Sequence, residues 1–319
     1  MTLEDLFLRD GRLRPVWRFF LSLVLVFLAY ALAYLLAGEV RDLIPCAGGW
    51  SGFLFLFQLL ALLGASKVMT RVFERKPLGV VGLAFHPRWV KELTVGLGIG
   101  GITMVALGGA EALLGLAHFA PDTLPARAEL AYGSGLFLFF AIAATNEELL
   151  FRGYPFQKLV ESLGPVGAVA VSSACFGLAH LGNSHHTWIS TLNTMLVGIA
   201  FSIAYLRTRS LWMPVGMHFT WNYVQGFVLG LPVSGYKFSP SVLHAQVYGA
   251  AWLTGSGYGP EGGLLCTIAV AGAAIFLFSA RIRMSERMRE LVFGPCQEGA
   301  TYPAIHILSE SDPGEGGTT

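Results

Sequence analysis

The sequence predicts an all-α, polytopic integral membrane protein, a helical bundle of about eight transmembrane helices. Three observations carry that expectation. Hydrophobic residues make up 54% of the 319 and charged residues only 13%, about half the charge of a soluble domain. Mean hydropathy is +0.59. Apolar runs recur along most of the length with short polar joints between them, the pattern of repeated bilayer crossings.

The runs are, in order, 16–36, 49–65, 93–117, 135–159, 165–181, 187–206, 211–231 and 262–280. The first is too long for an ordinary signal peptide, and its leader mixes Arg with Asp and Glu, so it reads as a retained anchor. The second carries Gln58 and the sixth Asn193, both read as helix-to-helix hydrogen-bonding glue. Glu111 in the third reads as a paired or water-exposed structural carboxylate. Gly164-Pro165 marks a turn between the fourth and fifth. Only Arg207–Ser210 separates the sixth from the seventh. Residues 1–289 therefore form one membrane domain. Residues 290–319 lose the apolar periodicity, end in Ser-Asp-Pro-Gly-Glu-Gly-Gly-Thr-Thr, and read as a disordered cytoplasmic tail.

Basic residues set the expected orientation. With a cytoplasmic N-terminus, all of the 21 Lys and Arg except Arg41, Arg127 and Lys237 fall on inner segments. That bias places both termini in the cytoplasm and demands an even number of spans. The net charge of +1 gives no reason to expect nucleic acid. Cys46, Cys175, Cys266 and Cys296 show no metal or redox spacing.

Polar chemistry is concentrated in three apolar segments. These are Glu147-Glu148-Leu149-Leu150-Phe151-Arg152, Phe176-Gly177-Leu178-Ala179-His180 and His218-Phe219-Thr220-Trp221-Asn222. Ionisable groups are costly within a bilayer and mark function there. Residues four apart share a helix face, so Glu148 pairs naturally with Arg152, and Glu147 points elsewhere. His218 and Asn222 have the same spacing and can aim two donors at one point. Phe176 and His180 can set an aromatic wall beside an imidazole. Glu147 lies 17 residues before Gly164 and His180 lies 16 after it, so an antiparallel hairpin brings them to one height. His218 lies nine residues beyond Arg209, about 13 Å in from the cytoplasmic face at helical rise. Its height matches theirs only if the hairpin tip projects into the cytoplasm, which leaves the fifth span open to a re-entrant course.

Singly, each feature has a plainer reading. Glu148–Arg152 is a structural pair, His180 or Asn222 an interhelical donor. Only their joint presence points to a site. Rival protease signatures are missing. There is no His-Glu-x-x-His and no Asp within a span. Ser134 and Ser256 sit in Gly-Ser-Gly and read as turns, and His185 and His186 read as an outer loop.

The three motifs resemble those of the CAAX prenyl protease and bacteriocin-processing (CPBP, or Abi) family of intramembrane peptidases. That family carries Glu-Glu-x-x-x-Arg, Phe-x-x-x-His and His-x-x-x-Asn in this order, and the likeness covers about residues 135–226. The resemblance implies Glu147 as the base that activates water, with His180 holding and polarising it. His218 and Asn222 would stabilise the oxyanion, Glu148 and Arg152 would be architectural, and Phe176 would pack the site. It implies a peptide or membrane-associated protein substrate and, by analogy, a bacterial plasma membrane. Two routes to the chemistry stay open. Glu147, His180 and His218 could hold zinc with an open position. Alternatively glutamate and histidine could activate water unaided, which is the route preferred here. Outside the enzyme class, the same cluster would serve an ion- or proton-coupled transporter, a membrane scaffold or an immunity protein.

Overall fold

The computed structural model describes residues 3–9, 11–43, 50–122 and 125–294. Its longer helices are α1 (Pro15–Leu43), α2 (Trp50–Met69), α3 (Trp89–Leu113), α4 (Ala126–Arg152), α5 (Tyr154–Ala179), α6 (Trp188–Thr208), α7 (Trp212–Tyr223), α8 (Leu264–Ser279) and α9 (Glu286–Phe293). The first eight correspond to the eight apolar runs, and the protein is a polytopic helical membrane bundle. Among the described residues, five continuous stretches are long and apolar enough to cross a membrane. One of them, Ala126–Ala179, holds both α4 and α5, while Leu264–Ser279 is apolar but shorter. Cys46, Cys296 and the predicted tail beyond 294 lie outside the described residues. The first residues assigned to that tail instead finish α9.

Several boundaries differ from the sequence reading. The predicted run 135–159 is broken at Gly153, whose backbone (φ −79, ψ −136) is not helical. Upstream, α4 starts nine residues earlier than expected, at Ala126. Ser134 is therefore inside a helix rather than in a turn, and its Oγ donates to Leu130 O at 2.7 Å. Gly164 does break the chain, at φ 72, with Pro165 opening the second half of α5. A left-handed φ costs glycine nothing, and proline suits a first helical position. After Tyr223 the seventh run widens into a π-helical turn, Val224–Val228. The end of the predicted third run is not helix at all. Ala117–Pro121 is a strand, β1, paired antiparallel with β2 (Leu243–Val247) from Ala117↔Val247 to Pro121↔Leu243. Five residues at and beyond the end of an apolar run carry too little alternation to announce a strand.

The two ends of the bundle differ. One is closed by charge. Glu74 accepts from Arg18 Nη1 at 2.8 Å, from Tyr154 Oη at 2.9 Å and from Lys158 Nζ at 2.9 Å. Lys76 Nζ donates to Val292 O and Arg207 to Ala280 O, so α9 and the end of α8 are tied to this same end. A buried cluster including Met69, Val81, Leu149, Phe156, Tyr205 and Leu211 fills the space between them. The other end carries β1–β2 and the long segment between α7 and α8.

Glycine decides how α3 meets α7. A Cβ on Gly96 would lie 2.2 Å from Met213 O, and one on Gly100 would lie 2.1 Å from Met217 O. Thr220 Oγ1 donates across the contact to Leu97 O at 2.9 Å. Small residues of this kind let membrane helices touch backbone to backbone. Gly100→Val must drive the pair apart. We expect a loss of about 1–3 kcal/mol, read as a lowered thermal midpoint in detergent. An unchanged midpoint would show that the contact is not under this constraint.

Candidate active site

The last two turns of α4 bring charge into the interior. Glu148 and Arg152 are both fully buried, and Arg152 Nη1 donates to Glu148 Oε1 at 3.2 Å. The predicted pair forms, but Arg152 has further partners. Its Nη2 donates to Gly198 O on α6 at 3.0 Å. Its guanidinium carbon lies 4.5 Å from the Phe176 ring centroid and 5.5 Å from that of Phe201. A planar cation stacked on aromatics and tied to a carboxylate is a tolerable form of buried charge.

Glu148 does more than hold Arg152. The same Oε1 accepts from His218 Nδ1 at 2.9 Å. This fixes the proton on Nδ1 and turns Nε2 inward. The His218 ring also stacks on Phe201, with centroids 5.2 Å apart and planes at 27°. His180 is set by the same device with a different acceptor. Its Nδ1 donates to Phe176 O, one turn back, at 2.7 Å, and its ring meets the Phe176 ring edge to face at 4.9 Å. Phe176 thus touches Arg152, His180 and His218.

Glu147 faces the two free nitrogens. Its Oε2 is 3.9 Å from His180 Nε2 and 3.9 Å from His218 Nε2. That oxygen is shut off from solvent and accepts no hydrogen bond among the described residues. Three polar atoms therefore converge around a gap wide enough for one small molecule. Asn222 follows His218 by one turn on α7, is half-buried, and spends its amide on no hydrogen bond among the described residues. Glu147 and His180 meet as the hairpin argument predicts. Ser172 Oγ donating to Phe151 O at 2.8 Å confirms that α5 runs back along α4. The second half of α5 stops at Ala179, level with Glu147, whereas α4 continues 21 residues beyond that level, about 31 Å at helical rise. The fifth run is thus shorter than its neighbours.

The donor set is spaced more widely than a zinc site requires. Ligands on a tetrahedral zinc stand roughly 3.4 Å apart. The 3.9 Å spans at Glu147 exceed that, and no three His, Cys, Asp or Glu among the described residues are grouped to hold a metal ion. His185 and His186 lie on an exposed turn.

Some contributors carry no sequence signal. Phe201 and Gly198 lie in an apolar helix, where nothing separates them from packing residues. Tyr30, on α1, donates to Asn146 Oδ1 at 2.7 Å, which links the first span to the residue beside Glu147. Asn193 is the glue it was expected to be. Its Nδ2 donates to Glu261 O and Gly263 O, both at 2.8 Å, and its Oδ1 accepts from Thr267 at 2.6 Å.

Comparisons with known proteins fall on this same region. Residues 129–224 match the family model described as type II CAAX prenyl endopeptidase Rce1-like. The "Putative membrane peptidase YdiL" of Bacillus subtilis (strain 168) is 28% identical over 107 residues, 34% of this chain and 42% of that protein. The chain thus spans less than half the length of the curated relative it matches. No solved structure gives a significant match. The matched stretch holds Glu147, Glu148, Arg152, Phe176, His180, Phe201, His218 and Asn222 together. Over residues 129–224 the chain resembles peptidases of the CPBP family.

Proposed function

We propose that the protein is an intramembrane endopeptidase that hydrolyses a peptide bond in a peptide or membrane-associated protein substrate, with water activated by Glu147. The observation that carries this reading is the equal 3.9 Å spacing of Glu147 Oε2 from the Nε2 atoms of His180 and His218. A water about 2.8 Å from Glu147 Oε2 and from one imidazole fits that gap with an angle of roughly 90°. Glu147 takes one of its protons, and His180 Nε2 accepts a hydrogen bond from it. The oxygen then attacks the scissile carbonyl carbon. Charge moves to the carbonyl oxygen, and the proton held by Glu147 passes to the departing nitrogen.

His218 and Asn222 serve the developing oxyanion. Glu147, Glu148 and Arg152 sum to one negative charge, so a doubly protonated His218 brings the cluster to neutrality and offers Nε2–H as a donor. Asn222 adds a neutral donor whose amide is otherwise unspent. The role of Glu148 is then wider than architectural, because it holds His218 as well as Arg152.

The test is cleavage of a reporter peptide by the protein reconstituted in liposomes. Asn222→Ala should lower turnover by about 10²–10³-fold with KM little changed, as loss of an oxyanion donor does. Retained cleavage in Asn222→Ala beside loss in His218→Ala would remove Asn222 from the chemistry. No cleavage by the wild type, with proton or ion flux instead, would reject the peptidase reading. Chelation by EDTA or phenanthroline should leave turnover unchanged. Loss on chelation that zinc restores would replace the unaided-water route with a metal-dependent one.

A further inference from the structure

Glu261 belongs to none of the three motifs and lies outside the family match, in a single 3-10 turn (Pro260–Gly262) just ahead of α8. It is buried, and its carboxylate gathers donors from three places. Oε1 accepts from Trp221 Nε1 at 3.3 Å. Oε2 accepts from Gln225 Nε2 at 2.7 Å and from Ser234 N at 3.1 Å. Its backbone carbonyl accepts from Asn193 on α6. Among the described residues no cation pairs with it. A carboxylate placed in the interior without a counter-charge is costly unless its lone pairs are filled. Burial pushes its carboxyl up to about 7, against the donors from Gln225, Ser234 and Trp221, which hold it down.

Two of those donors flank Asn222. Trp221 and Gln225 are four apart and form the stripe next to His218 and Asn222, about 60° round the helix. Between them the backbone passes from α-helix to the π turn at Val224–Val228. A π turn adds a residue to the turn and so re-phases every side chain around it. The rotation of α7 at Asn222 is therefore pinned by the hydrogen bonds on either side of it.

We propose that Glu261 is a positioning residue for the oxyanion side of the site. It clamps Trp221 and Gln225, fixes the α-to-π transition, and thereby aims the Asn222 amide. The proposal rests on the peptidase reading, yet part of its test does not.

Glu261→Ala should reduce turnover by about 10²-fold, the order expected when a catalytic group is displaced by about an ångström, with KM little changed. Glu261→Gln should recover only part, because an amide fills the Oε2 position but turns a second N–H on Trp221. Adding Trp221→Phe removes that clash and should raise turnover further. Glu261→Ala and Asn222→Ala should combine to little more than the larger single effect, because they act through one donor. Multiplying effects would overturn the proposal, since they would mean that Glu261 supports only the fold. Hydrogen exchange supplies the measurement that needs no catalysis. Amides of 219–228 should lose protection in Glu261→Ala while those of α1, α2 and the 147–152 turns keep theirs. Unchanged protection at 219–228 overturns the proposal even if the wild type cleaves nothing. Absent cleavage with the predicted exchange pattern overturns the peptidase reading and keeps the clamp.

Discussion

Glu147→Ala should lower peptide cleavage by about 10²–10⁴-fold, the range for loss of a general base, and leave the protein folded. Both halves follow from its surroundings. The Glu147 side chain is 28% exposed, and its Oε2 accepts no hydrogen bond among the described residues. Removing it therefore strands no buried donor. What is lost is the one carboxylate oxygen that faces both inward-turned imidazoles. Glu147→Gln should behave alike, since the amide keeps the shape but cannot take the proton. Turnover would be followed on a reporter peptide in liposomes, and folding by thermal midpoint and elution profile. Wild-type cleavage in either variant would sink the mechanism. A collapsed midpoint would move Glu147 from chemistry to structure.

Much of this site is legible from spacing. Glu148 with Arg152 and His218 with Asn222 are four apart, and helix geometry alone puts each pair on one face. The count of residues either side of Gly164 brings Glu147 to His180. These relations depend on local rise and one turn, which sequence encodes. Contacts between helices distant in the chain are not encoded that way. That Glu148 reaches His218, 70 residues on, depends on α7 being drawn against α3 by Gly96 and Gly100. Phe201 and Gly198 line the cluster from a helix whose other residues are equally apolar, so no pattern singles them out. The fold shows the same division. Eight apolar runs give eight helices, because hydropathy is summed over many residues. The break at Gly153 and the strand Ala117–Pro121 each depend on a few residues, one inside an apolar run and the other at the end of one, and there tertiary context decides.

Glu148→Ala should damage folding and turnover together, by different routes. Arg152 would keep the Gly198 carbonyl and the faces of Phe176 and Phe201 but lose its only anion at contact distance among the described residues. Breaking a buried ion pair from one side costs about 3–5 kcal/mol. His218 would simultaneously lose the acceptor at 2.9 Å that orients its ring. The double change Glu148→Gln with Arg152→Met separates the two effects. It removes both charges while the methionine chain still fills the space against Phe176, so folded yield should recover most of the loss. Turnover should stay at least about 10²-fold down, because a neutral amide does not stabilise an imidazolium at His218 as a carboxylate does. Folded yield by fluorescence-detected gel filtration and cleavage in liposomes would be measured on both variants. A double variant that folds no better than Glu148→Ala would show that the Glu148–Arg152 pair is not what the bundle depends on. A double variant that regains both folding and turnover would show that Glu148 does not act through His218. Recovery of folding alone is the result that ties one carboxylate to both a structural cation and a catalytic histidine.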